Sequence, residues 1–267
     1  MHTTIINDCR DTNAVGRQVT RVAVLSETTV SFIGVNSDLE AAGNLIDAID
    51  AFGNNQGLIL VNVAPRNGKA KKWENGTPFG YFTYKNITVL SSIDGYTLSL
   101  VKKFNLAKTI RVLDTKEACE YMVSNKYLDQ KEGKRITLSQ FRSYDFTPRV
   151  ALLLKNKLIP SAKILPIEEV ADAPEAIWWV DNFGNCKTTI TSTELNLEDK
   201  FLKTKFGQFP FYPRLKDVPD KKIAAIIGSS GLGEKRFIEI VVQGGRAVKE
   251  IIFMPVIKNN NVFATHQ

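Results

Sequence analysis

Histidine is almost absent from this chain. Its 267 residues include two histidines, His2 and His266, one near each end, where chains commonly fray. Catalytic triads and dyads need a histidine base inside the fold, and histidine is a principal ligand of zinc. The sequence therefore argues against Ser-His-Asp and Cys-His catalysis, and we predict no metal site. Carboxylates, hydroxyls, amides and backbone groups must carry any chemistry.

Cysteine and long apolar runs are also scarce. Cys9, Cys119 and Cys186 are odd in number and far apart, so they form neither a disulfide framework nor a zinc-binding spacing. No apolar run approaches the ~20 residues that span a bilayer. Residues 1–8 lack the basic and apolar regions of a signal peptide. We therefore expect a cytoplasmic protein that does not enter a membrane.

Composition describes a globular protein with a positive surface. Hydrophobic residues make up 43% and charged residues 24% of the chain, which is typical of a soluble protein with a sizeable core. The length allows one large or two ordinary domains. The net charge is +7, with basic clusters at 69–72, 131–135 and 200–205. Because no recognised nucleic-acid module accompanies them, a solvated surface is favoured and nucleic-acid binding remains an alternative.

The first part of the chain alternates between strand and helix patterns. The capping-box pattern of Ser37 and Glu40 opens one of the helices. This alternation indicates an α/β domain with a largely parallel sheet over residues 1–157. The predicted strands are 3–7, 22–25, 29–35, 57–63, 80–83, 87–90 and 110–113, and the predicted helices are 38–51, 96–104, 115–122 and 144–155.

Polar residues follow the first predicted strand. Asn7 to Asn13 come where α/β sheets place ligands, just past the carboxyl end of a strand. A solvated loop is an equally good interpretation.

The pattern changes after residue 157. Pro160, Pro166 and Pro174 predict an extended linker over 158–174. Short β-rich runs follow, with one short helix expected near 245–249. They predict a small, mostly-β domain over 175–267, with strands at 177–180, 188–190, 223–227, 237–242 and 251–255.

Two polar turns in this second domain are candidate binding elements. At the first, Asp181, Phe183 and Asn185 lie between two β-rich runs, and the sequence predicts a strand, a tight turn and a second strand. A carboxylate, a ring and an amide are the groups that a positively charged nucleoside needs. An ordinary hairpin is the alternative interpretation.

The second polar turn places Ser229 and Ser230 between Gly228 and Gly231. Glycine-rich turns can present backbone N–H groups to an anion such as a carboxylate. The Gly-Lys-Ser/Thr ending of a phosphate loop is missing. An ordinary hairpin turn is again the alternative.

These motifs resemble those of the S-adenosyl-L-methionine hydroxide adenosyltransferases, whose relatives are the fluorinase and chlorinase. The first strand of that family ends in Thr/Ser-Asp-Phe/Leu-Gly with a further Asp, as residues 5–11 do here with Asp8 and Asp11. Its motif Asp-x-Phe-Gly-Asn-x-x-Thr-Asn-Ile is similar to residues 181–190. Its Asn-Ser-x-Gly turn is similar to residues 228–231, and residues 237–241 continue that motif after a short insertion.

The resemblance implies an α/β domain joined to a β-barrel-like domain, in a homotrimer. Adenosylmethionine would bind as the substrate, with no further cofactor, between the first domain of one subunit and the second domain of its neighbour. Hydroxide or halide would attack the ribose C5′ carbon and release methionine with adenosine or 5′-halo-adenosine. The residues carried over by position are Asp8, Asp11, Asp181, Phe183, Asn185, Ser229 and Ser230.

Each implied role suits its side chain. Asp8 would accept hydrogen bonds from the ribose hydroxyls. Phe183 would stack on adenine, a contact worth about 1–3 kcal/mol, while Asn185 reads the edge of the base. Asp181 would hold the methionine ammonium through a charge-assisted contact. Ser229 and Ser230 would lie near the amino-acid end.

The nucleophile site departs from the family pattern. Hydroxide-using members orient water with an Asp in Val-Asp-Pro-Gly, a nearby Arg and a His in Phe-His-Gly-Arg-Asp. The corresponding segments here are residues 63–66, Val-Ala-Pro-Arg, and 141–145, Phe-Arg-Ser-Tyr-Asp. The Asp and His are therefore missing, and residues 67–72 contain no clear equivalent of the Arg.

Ser143 falls where the halogenating relatives place a serine near the halide, although a helix N-cap also explains a serine there. Three functions stay open: an adenosylmethionine-cleaving enzyme with an altered nucleophile site, an adenosylmethionine- or adenosine-binding protein without turnover, and a basic protein that interacts with nucleic acid.

Overall fold

The chain forms two compact units. The computed structural model describes residues 1–64, 76–158, 160, 162–196 and 200–253. The units are Met1–Asp172 and Ala173–Gln267. Each contains one sheet, so the predicted arrangement of an α/β region followed by a mostly-β region is confirmed at this level.

The first unit contains a seven-stranded mixed sheet in the order β2-β1-β3-β5-β4-β6-β7. Strands β2, β1, β3 and β5 are parallel to one another. Strand β4 is antiparallel to both of its neighbours, and β7 is antiparallel to β6. The strands are β1 (His2–Asn7), β2 (Thr29–Gly34), β3 (Gly57–Asn62), β4 (Phe79–Tyr84), β5 (Ile87–Ser92), β6 (Thr109–Leu113) and β7 (Ala162–Pro166).

Side-chain caps fix where several helices of the first unit begin. Asp11, Ser37, Asp114 and Asp129 each accept the backbone N–H three residues further on, which satisfies a donor that the first helical turn leaves unpaired. The helices are α1 (Thr12–Ser26), α2 (Asp38–Phe52), α3 (Ser99–Lys103), α4 (Thr115–Ser124), α5 (Gln130–Thr137), α6 (Arg142–Asp145) and α7 (Thr147–Lys155).

The predicted strand at 22–25 is wrong, because these residues belong to helix α1. Ala14, Gln18, Val22 and Ser26 are buried at four-residue intervals, which is the spacing of one helix face. Val22 packs in the main core of the unit together with Ile5 and Leu58. The helical period therefore overrides the β-branched composition of the short run.

The predicted linker over 158–174 also needs correction. Residues Ala162–Pro166 form β7, which pairs with β6 from Ala162–Leu113 to Pro166–Thr109. Strand β7 lies at the edge of the sheet, and an edge strand tolerates a proline because one side of its backbone has no partner strand. The first unit consequently runs to Asp172 and not to residue 157.

The second unit is a curled half-barrel with strand order β10-β11-β12-β13-β9-β8. Its described strand pairs are antiparallel except β11 with β12. The strands are β8 (Ile177–Val180), β9 (Cys186–Thr191), β10 (Phe201–Thr204), β11 (Gly207–Tyr212), β12 (Ile223–Leu232) and β13 (Lys235–Val242), and helix α8 spans Ala247–Phe253.

Two local predictions in this unit are wrong. Residues 251–253 of the predicted strand 251–255 lie in α8, since Ala247 and Ile251 are buried in the core one helical turn apart; residues 254 and 255 lie outside the described part. The predicted turn at 228–231 is a bulge inside β12, where the pairing with β13 shifts between Ile227 and Gly231. Gly231 has a φ of 125° there, which suits a glycine in a bulge.

Among the described residues, the helices are all too short or too polar to cross a membrane.

Candidate functional site

The strand order of the first unit reverses between β1 and β3. The chain passes from β1 to β2 on one side and then returns to β3 on the other side. In α/β sheets, ligands bind in the crevice outside the carboxyl ends of the strands at such a point. Asp8 follows β1 directly, and Val63 and Ala64 follow β3.

Asp8 is held at this end of the sheet by the loop after β3. The Ala64 N–H donates to Asp8 Oδ2 at 3.2 Å, and the Asp8 N–H donates to the Asn62 carbonyl at 3.3 Å. The carboxylate is half-buried. The residue to which the family resemblance gives the ribose hydroxyls therefore lies where an α/β sheet places its ligand.

A buried amide pair shapes the loop beneath Asp8. Asn7 Nδ2 donates to Gln18 Oε1 at 2.5 Å, and Asn7 Oδ1 accepts from the Cys9 N–H at 2.8 Å. Asn62 Nδ2 donates to the same oxygen at 3.3 Å. Asn7 and Gln18 are both fully buried. Sequence reasoning missed Gln18, because a polar residue on a buried helix face has no signature until the fold is known.

Asp11 has a structural role as the N-cap of α1. Its Oδ1 accepts the Ala14 N–H at 3.0 Å, and the residue is exposed. This hydrogen bond accounts for an aspartate at this position without a ligand. A contact between Asp11 and substrate remains a prediction.

Ser143 lies in the short helix α6 and is 6% exposed. Phe141 is the N-cap of α6, so the alternative interpretation of Ser143 as a helix cap is wrong. Ser143 Oγ is buried and has no hydrogen-bond partner among the described residues, and the same holds for Thr77 Oγ1. Buried hydroxyls normally have a partner, so both groups require an explanation. Sequence reasoning missed Thr77, because it belongs to no recognisable motif.

Arg142 precedes Ser143 in α6, and its side chain reaches the residue before Thr77. Its guanidinium carbon is 5.2 Å from the centre of the Phe79 ring. It also lies against Gly76, where an added Cβ would be 2.5 Å from Arg142 Nη2. Burial lowers the pKa of Arg142 and is the sole cause of the shift, which means that no carboxylate of the described residues neutralises the guanidinium.

In the second unit, β8 and β9 are joined by the predicted tight turn. The Asp181 N–H donates to the Asn185 carbonyl at 3.0 Å, and the Gly184 N–H donates to the Asp181 carbonyl at 3.0 Å. Asp181 Oδ1 accepts the N–H groups of Phe183 and Asn185, both at 2.9 Å. Asn185 Nδ2 donates to Asp181 Oδ2 at 3.0 Å. The predicted strand-turn-strand unit is therefore confirmed.

These contacts give Asp181 and Asn185 a structural role in the turn. A carboxylate has lone pairs for further donors, so Asp181 can organise the turn and still accept an ammonium group. The turn leaves the Phe183 ring 67% exposed, although an exposed phenylalanine normally gains stability by burial. Because the hydrogen-bonded turn already positions the ring, stacking of a ligand on it would cost little conformational entropy.

The start of α8 braces this turn. Arg246 Nη1 donates to the Asn182 carbonyl at 2.9 Å, and the Val248 N–H donates to the Gly184 carbonyl at 3.0 Å. Gly184 has a φ of 85°, and an added Cβ would lie 2.8 Å from Arg246 Cβ. The motif needs glycine here for both reasons.

Ser229 and Ser230 lie in the β12 bulge beside two cations. Lys187 Nζ donates to Ser230 Oγ at 3.1 Å and lies 5.4 Å from the centre of the Trp178 ring. Arg236 Nη1 donates to the Ser229 carbonyl at 3.1 Å. Ser230 is buried and Ser229 is exposed. No pattern in the sequence indicated that these cations would meet the serines.

Some predicted features lie outside the described residues. They are Pro65 and Arg66 of the segment compared with Val-Asp-Pro-Gly, the stretch 67–72 searched for an arginine, and the basic cluster 69–72 proposed for nucleic acid. The nucleic-acid interpretation of that cluster stays a prediction.

No protein-family model matches the chain, and no curated protein matches it. Solved structures resemble it: an uncharacterized conserved protein from Thermotoga maritima has a TM-score of 0.65 at 14% identity, over 94% of this chain and 96% of its own. A conserved hypothetical protein from Thermus thermophilus has a TM-score of 0.61 at 16% identity, over 94% of each chain. At such identities the similarity shows a shared fold and assigns no chemistry.

Proposed function

We propose that this protein binds S-adenosyl-L-methionine and cleaves it at C5′ by nucleophilic substitution. The observation that carries the proposal is the position of Asp8, a half-buried carboxylate at the crevice where the strand order reverses. A carboxylate there can accept both hydroxyls of a ribose. The exposed Phe183 ring on its rigid turn supports the proposal, since adenine needs a stacking surface.

The amino-acid end of the substrate has matching charges in the second unit. The ammonium group would meet the Asp181 carboxylate, and Asn185 would hydrogen-bond the adenine edge. The carboxylate would lie near Ser229 and Ser230, where Lys187 supplies a positive charge. These assignments place opposite charges together.

The proposed chemistry needs no histidine. Hydroxide or halide attacks C5′, the C5′–S bond breaks, and its electron pair neutralises the sulfonium to give methionine. Because the leaving group requires no proton, alignment and removal of water from the nucleophile are the remaining tasks. We assign Ser143 to hold the attacking hydroxide or halide, because its hydroxyl is buried and unpaired among the described residues.

We further propose a homotrimer in which the first unit of one protomer and the second unit of its neighbour complete each site. This arrangement follows the resemblance of residues 181–190 and 228–231 to the adenosyltransferase motifs. Cyclic assembly through a repeated head-to-tail contact gives one such site for each protomer.

Turnover is the direct test. The purified protein is incubated with adenosylmethionine in water alone, with chloride and with fluoride, and products are separated by chromatography. We expect methionine in equal amount with adenosine or a 5′-halo-adenosine, and Ser143→Ala should lower the rate of formation. If none of the three nucleophiles yields product, the enzymatic proposal fails.

A second candidate function is binding without turnover. Two observations favour it. Ala64 cannot supply the carboxylate of the hydroxide-using members, and its N–H is committed to Asp8. Arg142 replaces their histidine in the segment 141–145, and a guanidinium cannot act as a base at neutral pH. Calorimetry that detects tight binding of adenosylmethionine, with no product in the same sample, would select this function.

Phe183→Ala tests the pocket under either function. Because the ring is 67% exposed, the substitution should hardly change stability, but loss of stacking should weaken adenosylmethionine binding about ten-fold. Phe201→Ala is the matched control, since Phe201 is a 51% exposed ring in the same unit. Equal affinities for the parent and for Phe183→Ala would show that the adenine site is elsewhere.

A further inference from the structure

The first unit contains a largely buried cation without a counter-ion among the described residues. The Arg142 guanidinium covers one face of the Phe79 ring and its Nη2 lies against Gly76. Desolvation lowers its pKa, and no carboxylate offsets the effect. An unneutralised charge removed from water is costly. By contrast, Arg135 and Arg149 of the same unit form ion pairs with Asp145 and Glu132.

Two buried hydroxyls adjoin this cation. Thr77 directly follows Gly76, which touches the guanidinium, and Ser143 directly follows Arg142 in α6. The two residues are 5% and 6% exposed, and neither hydroxyl has a partner among the described residues. A buried hydroxyl left unpaired is destabilising. All three groups can donate hydrogen bonds, so one electron-rich ligand that meets them would satisfy them together.

We propose that Arg142, Thr77 and Ser143 bind a small oxyanion. A guanidinium presents paired N–H donors in one plane, and this fork matches two oxygens of a carboxylate or phosphate better than it matches a spherical halide. The Phe79 ring covers a face of the guanidinium, so the donors at its edge remain for the ligand. The site shares Ser143 with the proposed nucleophile site, but binding of an oxyanion there requires neither adenosylmethionine nor its cleavage.

Thermal unfolding and calorimetry without adenosylmethionine test the site. The parent protein is titrated with formate, inorganic phosphate and chloride at constant ionic strength. We expect a saturable rise in Tm with formate or phosphate, whichever size the site accepts, and none with chloride. Arg142→Gln should abolish the rise. Arg214→Gln should retain it, because Arg214 is an exposed arginine that pairs with Asp217.

Variants that remove the Ser143 or Thr77 hydroxyl test the proposal even if Arg142→Gln does not fold. Ser143→Ala and Thr77→Val should each weaken oxyanion binding about five-fold, the equivalent of one hydrogen bond. Without the anion both variants should be as stable as the parent or more stable, since each removes an unpaired buried hydroxyl. An equal response to chloride, an unchanged response in Arg142→Gln, or loss of stability in both hydroxyl variants without anion would each overturn the proposal.

Discussion

At the scale of single residues, substitutions of Asp11 can distinguish a structural role of its carboxylate from a role in binding the ligand. Asp11→Ala should lower the free energy of unfolding by about 1 kcal/mol, because the Ala14 N–H of α1 loses its acceptor. Asp11→Asn should keep the cap and the stability. Urea unfolding followed by circular dichroism measures both. If Asp11→Asn is stable but binds adenosylmethionine less tightly than the parent, Asp11 also contacts the ligand.

Asp145 should make stability depend on acid pH. Burial would raise the pKa of Asp145, but hydrogen bonds from Arg135 and Ser139, with the charges of Arg135 and Arg149, hold this pKa below its ordinary value. A lowered folded pKa stabilises the protein above the unfolded pKa, about pH 4, and this contribution is lost as pH falls through the folded value. Ser139 Oγ donates to Asp145 Oδ2 at 2.6 Å.

Asp145→Asn should therefore lose about 2 kcal/mol at pH 7, where charged hydrogen bonds are removed, and the difference from the parent should shrink below pH 4. Unfolding in urea at both pH values measures it. Asp217→Asn is the control, because Asp217 forms an exposed pair with Arg214, and exposed pairs contribute little. A destabilisation of Asp145→Asn that is the same at both pH values would contradict an ionic origin.

Some site residues could be identified from sequence because local rules act on them. The order Asp181, Phe183 and Gly184 encodes its own turn, since the aspartate accepts nearby N–H groups and the glycine adopts a positive φ. Arg142 and Thr77 could not be paired in this way. Their relation depends on how α6 meets the start of β4, and no spacing along the chain carries that information.

At the scale of elements, the β8–β9 turn should be sensitive to a methyl group. Gly184→Ala places a Cβ 2.8 Å from Arg246 Cβ at a φ of 85°, which should destabilise the second unit by about 1–3 kcal/mol. Gly233→Ala is the control, because Gly233 also has a positive φ but open space around it. Tryptophan fluorescence in urea should report the change, since Trp178 and Trp179 lie in β8. Equal losses in both variants would exclude the contact with Arg246.

Errors in predicting elements came from short segments. The run 22–25 is β-branched, but its place in α1 follows from burial at Ala14, Gln18 and Val22 over a longer window. Strand β7 contains Pro166, and its existence depends on β6 offering a free edge more than forty positions earlier in the chain. Local composition can indicate α/β character, whereas it cannot choose between an edge strand and a linker.

At the scale of the whole molecule, the sequence predicted an α/β unit followed by a mostly-β unit because alternation and period are global signals. The sequence could not predict the order of the strands in the sheet. Asp8 gains its significance from the reversal between β1 and β3, and that reversal is set by which way each crossover turns. The polar residues after β1 were recognisable, but their place at the crevice was not.

Mixed assemblies of two variants with weakened binding test the proposed trimer. Asp8→Ala removes the ribose carboxylate from the first unit, and Phe183→Ala removes the stacking ring from the second. If one site draws these residues from adjoining protomers, random co-assembly of the two variants should restore about one site in four overall, and about one site in three in trimers that contain both variants. If both residues serve a site within one protomer, every site stays defective and mixing restores none.

The two variants are co-expressed with different affinity tags, and doubly tagged assemblies are isolated so that each contains both. Light scattering gives their mass, and calorimetry counts the adenosylmethionine sites of parental affinity. Each variant purified alone should have none, and parent assemblies carrying both tags should have one for each protomer. Doubly tagged trimers without restored sites would refute the shared site while leaving the trimer. Failure to recover doubly tagged material, together with a monomeric parent that binds adenosylmethionine, would refute both.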